Sequence, residues 1–261
     1  MEYDFDVAVI GGGAGGLFAA SVANGLGAKA CLIEKKRLGG DCTWFGCMPS
    51  KALLKSAQAA SLLKRHYEFG LGPRGGSNVD ASKVMSHVRD VIEEIAAHHP
   101  VEVFEKRGIR VVFGSPMFID RKSLEVNSRK ITAKKFIICT GSRPVVPPIE
   151  GLRTINYLTN ENIFDLEKLP ESLIVLGGGP IGVELSQGLS RLGVKISIVE
   201  MAERILFRED KETAQVLENK LKNEGIEILA GKKAIKFFQK EGLAFCVLED
   251  KDKIQRDRKS V

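Results

Sequence analysis

Aromatic side chains are scarce in this sequence, with one Trp, three Tyr and thirteen Phe among 261 residues. The 39 Lys and Arg outnumber the 33 Asp and Glu to give a formal charge of +6, but they are scattered along the whole length without aromatic interleaving. Nucleic-acid binders instead cluster basic residues and supply stacking platforms, so the excess charge describes solvated faces. Cysteine is sparse too. Five residues, an odd number, argue against a framework of structural disulfides and for a reducing, cytoplasmic setting. Long apolar runs are missing but for one, residues 7–28, which lack charge and have the length of a membrane span. Seven glycines within it oppose that reading, as do Glu2, Asp4 and Asp6 ahead of it, where an export signal needs basic residues. What remains, 44% hydrophobic and 28% charged, fits one or two globular domains with an ample core.

One unit occurs twice. Residues 6–10 (Asp-Val-Ala-Val-Ile) run into Gly11, Gly13 and Gly16, and residues 172–176 (Ser-Leu-Ile-Val-Leu) run into Gly177, Gly179 and Gly182. Aligning the triplets superimposes Gly27 on Gly193, Lys29 on Lys195 and Glu34 on Glu200. Each copy is an apolar run, a G-x-G-x-x-G turn, a helix-length segment ending at glycine, a second apolar run and a terminal acid. This is the βαβ dinucleotide fingerprint: the glycines permit a tight turn and close approach to a pyrophosphate, and the helix N-terminus stabilises its charge. The acid accepts ribose hydroxyls. A carboxylate at Glu200 repels a 2′-phosphate, so NAD(H) is favoured over NADP(H) in the second copy.

Between the repeats, residues 51–68 and 81–106 carry helical periodicity, joined by a Gly- and Pro-rich loop over 70–78. Short β-branched runs at 109–113, 117–119, 123–126, 130–132 and 136–139 predict a strand and a small meander ending in a buried strand. The Pro-rich stretch 140–151 marks a domain boundary. Beyond the second repeat the pattern predicts a helix over 211–223, a strand over 226–229, a hairpin over 234–248 and a charged turn or frayed end over 249–260.

Two thiols stand just after the first repeat, in Cys42-Thr-Trp-Phe-Gly-Cys47. In a regular helix, Cα atoms five residues apart lie about 7.5 Å apart along the axis, beyond the disulfide limit of about 7 Å. A Cys42–Cys47 bond therefore needs a distorted turn, for which Gly46 supplies flexibility. Pro49 disfavours helical geometry at Met48 and suits the first turn of a helix starting just after it. Cys47 then sits near a helix N-terminus with Lys51 one turn on, and both favour its thiolate. Two buried, inert cysteines would be the plainer reading of such a pair. A zinc site using the pair and a histidine is disfavoured by the wide spacing.

The segment Gly39-Gly-Asp-Cys-Thr-Trp-Phe-Gly-Cys-Met-Pro-Ser-Lys51 resembles the redox-disulfide signature of class I pyridine nucleotide-disulfide oxidoreductases, the family of dihydrolipoamide dehydrogenase, glutathione reductase and mercuric reductase. Cys139-Thr-Gly-Ser-Arg-Pro144 is similar to the family's A-T-G-S-x-P segment, and residues 177–184 to its nicotinamide-domain turn. The resemblance implies an α/β fold of two Rossmann-like three-layer domains, each with a small β-meander. These would be an FAD-binding domain over 1–150, with the redox-active cysteines, and a truncated NAD(H)-binding domain over 151–261. It further implies that Gly11, Gly13 and Gly16 hold the FAD pyrophosphate and Glu34 its ribose. Gly114 approaches the adenine, while Gly40, Asp41, Lys51, Thr140 and Gly141 line the FAD site. Gly177, Gly179, Gly182 and Glu200 serve the nicotinamide nucleotide. Hydride passes from NADH to the flavin, then electrons to the disulfide and on to a disulfide or Hg(II)-type substrate. Cys47 is the flavin-proximal thiol, Cys42 the interchange thiol, and Lys51 pairs with Glu184.

Departures qualify the likeness. Trp44-Phe45 replace the commoner Asn-Val, a mercuric-reductase-like variant. Asp41 stands for Thr, Pro180 for a lid tyrosine, and Glu200-Met201 looks like dihydrolipoamide dehydrogenase. No G-M-T-C-x-x-C module is present. The family's later segments, carrying a flavin-ribityl aspartate, the interface domain of a homodimeric parent and a His-Glu acid/base pair, have no counterpart here, and the first sheet is expected to lack a strand. His66, His87, His98 and His99 match no family motif and receive no catalytic role. The alternative reading is a shortened dinucleotide-binding module without turnover.

Overall fold

The computed structural model describes residues 2–72, 79–98 and 100–249 and the backbone of 254–257. Residues 73–78 of the loop expected over 70–78, His99 and most of the charged C-terminal stretch lie outside the described residues. The chain forms two compact units, residues 1–49 with 88–144, and 50–87 with 145–261.

The first unit begins with β1 (Phe5–Ile10), α1 (Ala14–Gly25) and β2 (Ala30–Glu34), the βαβ unit the sequence predicts. Then come α2 (Gly40–Trp44), α3 (Cys47–Lys64) and α4 (Ala81–Ala96), the last two contributing residues to both units. The unit continues with α5 (Val101–Lys106), β3 (Arg110–Phe113), β4 (Met117–Asp120), β5 (Ser123–Val126) and β6 (Arg129–Ile138). The strand order is β3-β2-β1-β6-β5-β4. Strands β1, β2, β3 and β6 are parallel, and β4, β5 and β6 form the meander.

Alternation along the strands builds the layers. Ala8, Ile10, Cys31 and Ile33 point to a core with Leu124, Val126, Ile131 and Ala133 of the meander. Val9, Ala30 and Leu32 point the other way, to a core with Ala20 of α1, Phe104 of α5 and Ile109. The two runs expected at 130–132 and 136–139 are one strand. The Arg129–Thr132 end of β6 pairs with β5, and residues from Ala133 to Ile138 pair with β1. The helical stretch expected over 81–106 is interrupted at Pro100, whose extended backbone (ψ 153°) caps α5. Proline cannot donate inside a helix but is tolerated at its start.

The second unit repeats the plan with β7 (Ser172–Leu176), α6 (Pro180–Arg191), β8 (Lys195–Glu200), α7 (Lys211–Asn223) and β9 (Glu227–Ala230), its strands parallel in the order β7-β8-β9. An antiparallel sheet of β10 (Lys233–Lys240), β11 (Leu243–Glu249) and β12 (Ile254–Asp257) follows. Ile174 and Val199 share a core with Phe237, Cys246 and Leu248 of that sheet. Part of the expected frayed end is therefore strand β12, because β11 offers it a free edge. The architecture is α/β, with two Rossmann-like units each joined to a small antiparallel sheet.

Close helix–strand approach rests on the third glycine of each turn. A Cβ on Gly16 would lie 1.7 Å from the Gly11 carbonyl oxygen, and one on Gly182 would lie 2.3 Å from that of Gly177. We expect Gly16→Ala and Gly182→Ala each to lower stability by about 1–3 kcal/mol in urea unfolding followed by circular dichroism, as overpacking does; unchanged midpoints would contradict this packing.

Glu224, the C-cap of α7, accepts from Arg191 Nη2 (2.8 Å) and Nε (2.9 Å) at the end of α6. Burial pushes its carboxyl up, but Arg191, Lys220 and Gln187 together hold it below the ordinary value. A depressed carboxyl stabilises the fold fully above its unfolded pKa and ceases to do so as pH falls through the folded one. Glu224→Gln should therefore lower stability by about 2 kcal/mol at pH 7. In thermal melts across pH, the gap to the parent should close below about pH 4.5.

Candidate nucleotide and thiol sites

Each repeat ends its second strand on a glutamate, and the two glutamates are used alike. Glu34 Oε2 accepts from the backbone N–H of Gly12 at 2.6 Å, and Oε1 from that of Lys36 at 2.7 Å. Glu200 Oε2 accepts from Gly178 N–H at 2.7 Å, and Oε1 from Ala202 N–H at 2.7 Å. The carbonyls of the same two glycines are also engaged, Gly12 by Gly39 N–H and Gly178 by Leu206 N–H, both at 2.8 Å. Leu38 and Ile205 fill the space beneath, since a Cβ on Gly12 would lie 2.7 Å from Leu38 Cδ2 and one on Gly178 2.6 Å from Ile205 Cγ2. The middle residue of each turn is thus gripped by the acid, by the following loop and by an apolar plug.

The carboxylate-to-backbone bonds span 22 residues in both copies, and motif reading missed them. The equal Gly12–Glu34 and Gly178–Glu200 spacings were the available signal.

The second glycine of each triplet is open where a phosphate would approach. A Cβ on Gly13 would meet Gly40 Cα at ordinary contact distance, 3.5 Å, and one on Gly179 would meet nothing within 4 Å. Each carboxylate retains acceptor capacity for a ribose diol beyond the two N–H groups it holds. The residues present therefore fit a dinucleotide at each turn.

Other expected residues gather at the first turn. Cys139 N–H donates to Ile10 O at 2.7 Å, and a Cβ on Gly11 would lie 2.2 Å from Cys139 O, so Thr140 and Gly141 leave the sheet beside Gly11. The Asp41 carboxylate lies near Gly141, 4.0 Å from where a Cβ would stand. Gly114 donates its N–H to Glu34 O at 2.9 Å, beside the acid at the strand ends.

The thiol segment is attached directly to this turn. Gly39, which donates to Gly12, is the N-cap of α2, and Gly13 and Gly39 form an isolated parallel bridge. Gly40 lies so close to Gly13 that its Cβ would be 2.5 Å from Gly13 Cα. Cys42 is half-buried in α2, and Cys47 is exposed at the first position of α3. The chain breaks at Phe45-Gly46 between the two helices, the distorted turn that the Cys42–Cys47 spacing requires. The helix starts at Cys47, not after Met48. Pro49 falls within the first turn, where its missing N–H would find no intrahelical acceptor.

Lys51, one turn along α3, forms an ion pair with Glu184 of α6 at 2.6 Å. Helix packing within the second unit sets that pair. Gly188, one turn after Glu184, admits Leu54, whose Cδ2 would lie 3.1 Å from a Cβ there, and Lys64 Nζ donates to Arg191 O at 3.0 Å.

The remaining cysteines differ in kind. Cys31 is fully buried in β2, where burial pushes its thiol up to about 12, and Cys246 is buried in β11. Cys139 is half-buried. Among the described residues no group of three or more His, Cys, Asp or Glu could hold a metal ion. His66 Nδ1 lies 2.9 Å from the Leu63 carbonyl, and His87 and His98 are exposed. No helix among the described residues is long and apolar enough to cross a membrane; the charge-free run 7–28 is instead β1, the glycine turn and α1.

Comparison with known proteins places this architecture. The chain is 34% identical over 230 residues to a mercuric reductase of Bacillus cereus, covering 88% of this chain and 36% of the relative. It is 36% identical over 250 residues to a dihydrolipoyl dehydrogenase of Bacillus subtilis (strain 168), covering 90% of this chain and 52% of the relative. Among solved structures, the HOCl-induced flavoprotein disulfide reductase RclA from Escherichia coli superposes with a TM-score of 0.81 at 26% identity, over 96% of this chain and 54% of that one. The chain spans between about a third and about half the length of these relatives. Residues 5–261 match the family described as pyridine nucleotide-disulphide oxidoreductase, and the chain belongs to that family.

Proposed function

We propose that this chain is the nucleotide-binding and dithiol part of an FAD-dependent, NADH-oxidising disulfide oxidoreductase. On this reading the first turn holds FAD, the second holds NADH, and Cys42 and Cys47 carry the electron pair. The observation that carries the reading is the attachment of the thiol segment to the first glycine turn, through Gly39 N–H to Gly12 O and the Gly13–Gly40 contact. Two thiols so tethered stay beside whatever dinucleotide the turn binds. Gly11, Gly13 and Gly16 with the N-terminus of α1 would take the FAD pyrophosphate and Glu34 its ribose, with Gly40, Asp41, Lys51, Gly114, Thr140 and Gly141 lining the site. Gly177, Gly179, Gly182 and Glu200 would take the nicotinamide nucleotide. Bound FAD supplies a two-electron relay between a hydride donor and a disulfide.

The chain's own groups do the rest. Cys47 opens α3, directly after the Gly46 joint that links it to α2. Glu184 holds the Lys51 ammonium in one place on that helix. The more buried Cys42 attacks a substrate disulfide, forming a mixed disulfide and releasing one thiolate. Cys47 then attacks the Cys42 sulfur, releasing the second thiolate and leaving Cys42–S–S–Cys47, which the next electron pair reduces. The relatives' names point to two acceptor classes, a small disulfide and a thiol-seeking metal ion such as Hg(II). Glu200 supports NADH as the donor, because a carboxylate at the end of the second strand of such a unit repels a 2′-phosphate.

Anaerobic addition of NADH to the FAD-loaded chain tests this. NADH should act at least about tenfold more tightly than NADPH, the effect of about 1.4 kcal/mol of charge repulsion. A long-wavelength thiolate-to-flavin band should survive Cys42→Ser and vanish in Cys47→Ser. If the two variants behave alike, the assigned thiol roles are wrong.

A further inference from the structure

Arg37 follows the ribose-binding acid by three residues and has no place in the nucleotide or thiol roles described so far. Its guanidinium carbon lies 3.6 Å from the centroid of the Trp44 ring and 5.2 Å from that of Phe45. Trp44 is also tied to the residue after Arg37, its indole Nε1–H donating to the Leu38 carbonyl at 2.8 Å. We propose that Arg37 is the positioning residue of the dithiol loop: by stacking on Trp44 it fixes α2, and with it the Cys42 thiol, in the geometry that lets Cys42 bond to Cys47.

α2 cannot hold itself. It has five residues, follows an N-cap glycine with φ +106° and has no side-chain cap hydrogen bond, whereas isolated helices shorter than about 12 residues are marginal. Its order must come from tertiary contacts. At its start these are the Gly39–Gly12 hydrogen bond and the Gly13–Gly40 contact. At its end they are the Arg37–Trp44 stack and the indole hydrogen bond. Trp44 is the last residue of α2 and Phe45 its C-cap, so the stack grips the loop next to the Gly46 joint that leads to Cys47. Cys42 lies between the two anchored ends. A planar guanidinium can lie flat on an indole; the compact ammonium of lysine cannot reproduce that contact.

The second repeat carries an independent counterpart. Arg204 directly precedes Ile205, the apolar plug under Gly178, as Arg37 directly precedes Leu38, the plug under Gly12. No dithiol follows there, and the guanidinium instead donates to the carbonyls of Leu206 (2.7 Å), Phe207 (3.0 Å) and Glu209 (2.8 Å), pinning its own loop. In both copies the arginine ahead of the plug secures the segment that follows it. In the first copy that segment bears the thiols.

The inference rests on Cys42 and Cys47 being the redox pair, and the test separates the two. In glutathione buffers, Cys42–SH and Cys47–SH with GSSG give Cys42–S–S–Cys47 and two GSH, and the equilibrium constant measures how well the two thiols are held together. The 261-residue chain would be equilibrated over a series of GSH/GSSG ratios, acid-quenched, alkylated and analysed by mass spectrometry of the 42–47 peptide. Arg37→Ala should lower the constant about tenfold, the scale of a lost guanidinium–indole contact. Arg37→Lys keeps the charge and should fall with it. Trp44→Ala removes both the stack and the indole hydrogen bond and should fall at least as far, while an Arg37→Ala far-ultraviolet circular dichroism spectrum and melting midpoint matching the parent exclude a folding defect. An Arg37→Ala constant within twofold of the parent overturns the proposal, and so does full rescue by Arg37→Lys. A parent chain that forms no Cys42–Cys47 disulfide at any ratio would instead contradict the redox pair itself.

Discussion

The structure depends on one repeated electrostatic contact, a glutamate at the end of a central strand accepting the backbone N–H of the middle residue in a glycine turn. Glu34 holds Gly12 at 2.6 Å and Glu200 holds Gly178 at 2.7 Å. A glycine-rich turn has the conformational freedom to wander, and ordering it costs more entropy than ordering any other residue type. A charged acceptor gives a hydrogen bond roughly twice as strong as a neutral one, enough to keep each turn shaped without a ligand. The same carboxylate still has lone pairs, so on the proposed reading it would serve ribose recognition as well as loop order. Gly13 and Gly179 are then the positions open to a pyrophosphate, while Gly16 and Gly182 carry the helix packing.

From that turn the chemistry extends outward through the backbone. Gly39 donates to the carbonyl of the residue whose N–H Glu34 holds, so acid, turn and thiol segment form one continuous hydrogen-bonded path in the first unit. In the second unit Leu206 makes the equivalent bond, and the following loop is closed by Arg204 with no thiols in it. The repeat therefore builds two turns of one design. Only the segment that follows the first carries a dithiol.

The repeat itself was legible because its signals are local: apolar runs of strand length, glycines at fixed offsets, and an acid about twenty residues on. The break between the cysteines was legible from helix geometry alone. Elsewhere the failures have physical causes. β6 reads as two strands because Lys134 and Lys135 interrupt its apolar run, yet the pairing partner changes there from β5 to β1 while the strand continues. Strand β12 looks like a charged tail because the edge that captures it belongs to β11, and composition carries no record of an open edge. The Lys51–Glu184 pair was anticipated from family likeness, whereas the Gly188 packing that sets it joins residues more than a hundred positions apart. Arg37 gave no sequence signal at all, since a lone arginine in a Lys-Lys-Arg run reads as solvated charge.

The central claim is that the two turns are separate sockets for two different dinucleotides. Equilibrium dialysis of the chain with FAD and NAD+ together, an unreactive pair, using Gly13→Ala and Gly179→Ala variants, tests it most directly. Neither added methyl meets the resting structure closer than 3.5 Å, so any loss reports on ligand approach. The account predicts one FAD and one NAD+ per parent chain, about tenfold weaker FAD alone in Gly13→Ala, and about tenfold weaker NAD+ alone in Gly179→Ala. Binding of both nucleotides lost together in either variant, or a single shared site in the parent, would contradict it.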